Sequence, residues 1–165
     1  ENNKYYIITE IGEEEISNLI SINFTDKSLS IQDDIIGVFN LIKAKDDITA
    51  KIYRLYNAAF SRFPDREGLE YWIDNNLSGV DSFTQTASSF LISKEFIKTY
   101  GDDSNHTNYV NSLYENIFNR PPDQEGFDYW TNQLDNELET RSEVLIGFTE
   151  SYENKLIFSE ETSIY

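Results

Sequence analysis

Residues 119–130 read Asn-Arg-Pro-Pro-Asp-Gln-Glu-Gly-Phe-Asp-Tyr-Trp, and residues 61–72 read Ser-Arg-Phe-Pro-Asp-Arg-Glu-Gly-Leu-Glu-Tyr-Trp. The two phrases start 58 residues apart. At that offset 53–96 aligns with 111–154 without a gap. Leu55, Tyr56, Phe60, Arg62, Pro64, Asp65, Glu67, Gly68, Tyr71, Trp72, Phe90, Ser93 and Glu95 recur as Leu113, Tyr114, Phe118, Arg120, Pro122, Asp123, Glu125, Gly126, Tyr129, Trp130, Phe148, Ser151 and Glu153. So many shared aromatic and charged positions identify an internal duplication. With only two copies, two equivalent halves of one domain fit better than an open array.

Working outward, the periodicity on both sides of the phrase is helical. Ile48, Ile52, Leu55, Tyr56, Ala59 and Phe60 fall three and four apart, as do Val110, Leu113, Tyr114, Ile117 and Phe118. Each stripe ends ahead of a proline, because the residue before Pro avoids the α region. Asp65 and Asp123 then stand where an N-cap belongs, with Glu67 and Glu125 in the first turn, where the helix dipole favours negative charge. Asp81 is read as the start of a third helix through Phe83, Ala87, Phe90 and Leu91. Thr140 to Glu143 has capping-box spacing. "GDDSNHTN" (101–108) reads as a polar link between the copies.

Residues 1–47 differ. Tyr5 to Ile11 is apolar and β-branched. Ile20, Ile22 and Phe24 alternate, Thr25 to Ser28 turns, and Leu29 and Ile31 alternate again, which reads as strand–turn–strand. Ile35 to Ile42 suits a strand or a short helix. The predicted fold class is mainly α: a bundle of about six helices over 48–165, built from the repeats 53–96 and 111–154. A small β-containing lead-in over 1–47 precedes it.

The composition narrows the chemistry. A net charge of −17 sets the chain against phosphate backbones and anionic headgroups, so nucleic acid and membrane insertion are not expected. The absence of Cys removes disulfides, thiolate zinc sites and a Cys nucleophile. His106 is the only His; it lies in the polar link and reads as a solvated loop residue. There is no Met and the sequence opens Glu-Asn-Asn, which reads as a piece of a longer polypeptide.

The repeated phrase admits three readings. As a structural corner, Arg62 and Arg120 bond Asp65 and Asp123 across the proline turn, while Gly68 and Gly126 allow close approach of another element. As a calcium site, Asp65, Glu67, Asp123 and Glu125 supply oxygens, although six to eight are needed and the spacing is unlike an EF-hand loop. As a glycosidase-type dyad, the same carboxylates lack a visible means of raising one pKa. Tyr71, Trp72, Tyr129 and Trp130 are aromatic anchors of the core or platforms for a glycan. Adjacent helix positions point about 100° apart, so both members of a pair do not face one ligand. The corner and core-anchor readings are preferred, no catalytic residue is assigned, and no cofactor is required, with calcium as the alternative.

The paired Arg-x-Pro-Asp-x-x-Gly-x-x-Tyr-Trp pattern, the Ser-x-Glu of each copy and the closing "RSEVLIGFTESYENKLIF" resemble the DUF4214 domain family over roughly 48–158. The family is also similar to phycobilisome linker domains. The resemblance implies a helical domain near the C-terminus of large exported bacterial proteins, many with RTX calcium repeats and type I secretion. "ISNLISINFTDKSLSI" (16–31) is similar to segments that close RTX regions, though the glycine–aspartate repeats themselves are absent. The expectation is a non-catalytic extracellular or cell-surface module for adhesion, surface-layer organisation or attachment to a protein or glycan partner. A carbohydrate-binding domain and a glycoside hydrolase are the alternatives.

Overall fold

The computed structural model describes residues 6–9, 12–15, 20–23, 25, 28–101 and 105–165. In the lead-in, β1 (Tyr6–Thr9) pairs antiparallel with β2 (Gly12–Glu15), and β3 (Ser21–Asn23) with β4 (Ser28–Ser30), placing Ile22 opposite Leu29. The alternation around Ile22 and Leu29 therefore makes a hairpin. Residues 26 and 27 of the expected turn, like 102–104 of the expected link, lie outside the described residues. The acidic strand Gly12–Glu15 carries no apolar alternation that would mark it in the sequence.

A π-helical turn (Ile31–Ile36) runs into α1 (Gly37–Leu41). Ser30 caps the turn by accepting from the Asp33 N–H. The apolar stretch is thus helical from Ile35 to Leu41, and Ile42 ends it in an extended conformation. Val38 and Ile42 pack with Ile52, Tyr53, Leu69 and Ile73, so the end of the lead-in closes one side of the helical body.

Two copies of four helices follow. The first has α2 (Ile48–Phe60), α3 (Arg66–Leu77), α4 (Phe83–Leu91) and α5 (Lys94–Tyr100); the second has α6 (His106–Phe118), α7 (Gln124–Asp135), α8 (Arg141–Thr149) and α9 (Tyr152–Thr162). Every helix of the second copy starts 58 residues after its counterpart. Each copy has four helices where the spacing implied three. The repeated Ser-x-Glu is the reason: Ser93 and Ser151 accept from the Phe96 and Asn154 N–H groups and cap a short fourth helix.

The same local chemistry ends and starts the other helices. Ser61 and Asn119 stop α2 and α6 in the left-handed conformation at φ 49° and 52°. Asp65 and Asp123 cap α3 and α7 through the Gly68 and Gly126 N–H groups. Capping boxes open α4 (Ser82 with Gln85) and α8 (Thr140 with Glu143). Asp81, the expected start of α4, instead accepts from the Asn75 amide, and Ser82 next to it takes the cap.

The core is shared. Leu55, Tyr56, Ala59 and Phe90 of one copy and Leu113, Tyr114, Val144, Leu145 and Phe148 of the other form one buried cluster. Each fourth helix reaches the first helix of the opposite copy. Phe96 and Tyr100 stack at 4.4 Å and lie against Tyr109 of α6, while Phe158 of α9 meets the edge of Tyr53 of α2 at 5.7 Å. The Tyr100 hydroxyl also donates to the Ala58 carbonyl of α2, tying α5 to both first helices.

Candidate functional site

The repeated phrase folds as the corner between the first and second helices of each copy. At the first corner Asp65 Oδ1 accepts from the Gly68 N–H at 2.8 Å, and the Tyr56 hydroxyl donates to Oδ2 at 3.1 Å. Partial burial works to raise the Asp65 pKa, but these donors and Arg62 outweigh it and hold the carboxyl below its ordinary range. At the second corner the Gly126 N–H, 2.9 Å from Asp123, is the main cause of a lowered pKa there.

The expected pairs across the proline turn are present: Arg62 donates to Asp65 Oδ2 at 3.4 Å, and Arg120 lies 3.7 Å from Asp123. The shorter bonds of both arginines go to a second carboxylate that the spacing did not indicate. Arg62 donates from Nε and Nη2 to the two oxygens of Glu95, and Arg120 does the same to Glu153, at 2.9 and 2.7 Å. A guanidinium matches a carboxylate in this bidentate way, whereas one oxygen of each Asp, Oδ1, is already taken by a backbone N–H. The bond raises the pKa of Arg120 and lowers that of Glu153. Each arginine also lies over two rings, Tyr56 and Phe60 at 5.3 and 5.6 Å, Tyr114 and Phe118 at 5.1 and 5.5 Å. Glu95 and Glu153 are thus the corner's main partners. Both recur in the duplication, but nothing local joins them to an arginine 33 residues earlier.

The glycines make the corner's close approach. A Cβ on Gly68 would lie 2.5 Å from the Tyr56 hydroxyl, and one on Gly126 would lie 2.2 Å from that of Tyr114. The Tyr–Trp pairs divide by depth. Trp72 and Trp130 are half-buried and each lies 5.2 Å from a core Phe, Phe90 or Phe148. Tyr71 and Tyr129 stand outside, 57% and 50% exposed. Only the tryptophans anchor the core; the tyrosines do not.

Glu67 and Glu125 are exposed in the first turns of α3 and α7. Among the described residues, which include these two with Asp65 and Asp123, no three His, Asp or Glu side chains converge as a metal-binding group. Beside the second corner is a cavity of about 120 Å³ between the Tyr114, Phe118, Trp130 and Phe148 rings, with Arg120 and Glu153 at its edge. Glu153 is bound to Arg120 there. His106 is the first residue of α6 rather than a loop residue, and its Nδ1 is 2.7 Å from Asp135.

One cluster was invisible in the repeats. Arg54 is 1% exposed. It donates to Glu150 Oε1 from Nε at 3.0 Å and from Nη2 at 2.6 Å, donates to the Lys45 carbonyl at 2.7 Å, and lies 5.0 Å from the Phe158 ring. Lys155 bridges Glu150 at 3.5 Å and Asp46 at 2.8 Å. The signal lies in the non-identical positions: Arg54 stands against Ser112, and Glu150 against Ile92. Opposite charges at two differing positions mark a contact between the copies.

Residues 87–158 match the family model described as "Domain of unknown function (DUF4214)". The match covers less than half of the chain and agrees with the family resemblance of the repeated motifs. The matched stretch starts inside α4 and ends in α9, so it holds the corner at 119–130 and leaves 61–72 outside. No curated protein and no solved structure matches the chain. Among the described residues no helix is long and apolar enough to cross a membrane.

Proposed function

We propose that the chain is a non-catalytic binding or assembly module of an exported bacterial protein, working at the cell surface or outside the cell. The observation that carries this reading is the state of the duplicated carboxylates. Asp65 and Asp123 cap helices and are held below their ordinary pKa. A general acid at neutral pH needs the opposite shift. The family match, the absence of Cys and the charge of −17 fit an exported surface protein, including one of RTX type secreted by a type I route. Surface-layer organisation, adhesion and partner attachment are the roles this reading covers. In it the helical body needs no cofactor, and a chelator leaves its unfolding midpoint unchanged; a fall in the midpoint would assign calcium a structural role.

The experiment fuses the chain to a fluorescent reporter and applies it to intact bacterial cells. Retention above the reporter alone supports the reading; equal retention contradicts it. A second reading, a carbohydrate-binding module, is favoured by the exposed Tyr71 and Tyr129 rings. A glycan array separates it: saturable binding lost in Tyr71→Ala or Tyr129→Ala would establish a sugar platform.

A further inference from the structure

The duplication separates what the fold uses from what it leaves over. Most shared residues pack, cap or fasten a corner. Tyr71 and Tyr129 are large, shared and outward, with only a ring edge resting on the next residue, Trp72 or Trp130, at 5.0 and 4.9 Å. Each stands in the middle of an exposed face on the second helix of its copy. On α3 that face is Glu67, Glu70, Tyr71 and Asp74; on α7 it is Glu125, Asp128, Tyr129 and Asn132. Positions three and four apart share a helix face, so the carboxylates flank the ring on both sides along α3 and on its N-terminal side along α7.

Neither face carries Lys or Arg, and among the described residues Glu67, Glu70, Asp74 and Glu125 take part in no ion pair. Like charges at this spacing destabilise a helix. The copies therefore keep, at the same place, an aromatic ring in an unbalanced acidic setting that contributes nothing to the core.

We propose that these faces of α3 and α7 form a duplicated docking surface for a basic polypeptide, whose arginine side chains lie on Tyr71 and Tyr129 between the flanking carboxylates. The inference rests on the reading of the chain as a binding module. Charge complementarity selects the occupant: the whole chain is at −17, so its field draws a cation in and repels an acidic partner. The rings select within that class. A guanidinium stacks flat on an aromatic face while its edge donates to carboxylates, which an ammonium does less well. Two equivalent faces let one chain or a repeating basic surface engage twice.

The test titrates the full 165-residue chain with hexa-arginine by isothermal titration calorimetry. Saturable binding that weakens with salt is expected, with hexa-lysine weaker. Tyr71→Ala/Tyr129→Ala leaves the net charge unchanged and is expected to weaken hexa-arginine at least fivefold. Glu67→Gln/Glu125→Gln, which removes the carboxylate four positions before each ring, is expected to weaken it more than Glu115→Gln/Glu160→Gln, two exposed carboxylates elsewhere. Thermal melts of each variant confirm the fold, since all these side chains are exposed. Unchanged affinity in the double tyrosine variant, or equal effects of the two acidic pairs, would show charge attraction without a site and overturn the proposal. So would an absence of saturable binding, or a neutral glycan that binds and is lost with the tyrosines. If cells retain the wild-type and double-tyrosine fusions equally, the docking surface fails and the surface-binding reading stands; if neither is retained, that reading itself fails.

Discussion

Positions 54 and 112 occupy the same place in the two copies. In the first copy an arginine is buried there and bonds Glu150 of the second; in the second copy the residue is Ser112, and the counterpart of Glu150 is Ile92, 79% exposed. Most shared positions build the unit: the caps, the Arg–Glu corner, the glycine notch, the Trp against the Phe. The differing pair at 54 and 150 builds the joint between the units. Duplication supplied two similar halves, and a change of charge on both sides of one contact makes their association unequal.

The comparison breaks most strongly at the joint. Arg54→Ala removes a buried cation from Glu150 and is expected to cost about 3–5 kcal/mol in urea unfolding, while Ser112→Ala at the matching place stays within about 0.5 kcal/mol. A loss of equal size at both positions would end the asymmetry.

The next contrast is at Gly147, whose counterpart is Ser89. A Cβ on Gly147 would lie 2.4 Å from Trp130, and the tryptophans differ accordingly: Trp130 tilts 40° to Phe148 where Trp72 stands at 75° to Phe90. Gly147→Ala is expected to destabilise by about 1–3 kcal/mol through overpacking, with Ser89→Ala near neutral by the same unfolding assay.

The corners should behave alike. Arg62→Ala and Arg120→Ala each remove a half-exposed bidentate pair and its ring contacts, and each is expected to cost about 1 kcal/mol in thermal melts. A large difference between them would sharpen the comparison by showing that one corner carries more of the fold.

The smallest effect is acid sensitivity. Glu153 has an ordinary value of 4.5 and is lowered in the fold, first by its bond to Arg120. Its contribution is therefore complete above pH 4.5 and lost as pH falls through the lowered value. Arg120→Gln should flatten the loss of stability below that pH, measured by unfolding between pH 5 and about 2; an unchanged slope would remove Glu153 from the account.

Much of this was legible in the residues. The offset of 58, the helical stripes and the caps at Asp65 and Asp123 follow from local rules that leave marks on neighbouring positions. The fourth helices leave little trace: α5 has seven residues, too few to display a periodicity, and α9 buries Asn154 and Ser159 beside Phe158, so no apolar stripe marks it; Ser93 and Ser151 are their signs. The Arg–Glu partners were hidden by 33 residues of intervening chain. Which of Tyr71 and Trp72 turns inward depends on how α3 is rotated against Phe90, a tertiary choice. Arg54 was hidden most deeply, because an arginine inside an apolar stripe makes sense only when a carboxylate 96 residues later is known to meet it.

The central claim is that the two copies fold as one body joined through Arg54 and Glu150. Native-state amide hydrogen exchange on the wild-type chain and on Arg54→Ala tests it most directly. The account predicts that the slowest amides of α2 and α8 open with the same free energy and that Arg54→Ala lowers both by the same amount. If α6 to α9 kept their protection while α2 to α5 lost theirs, the copies would be independent units and the account would be contradicted.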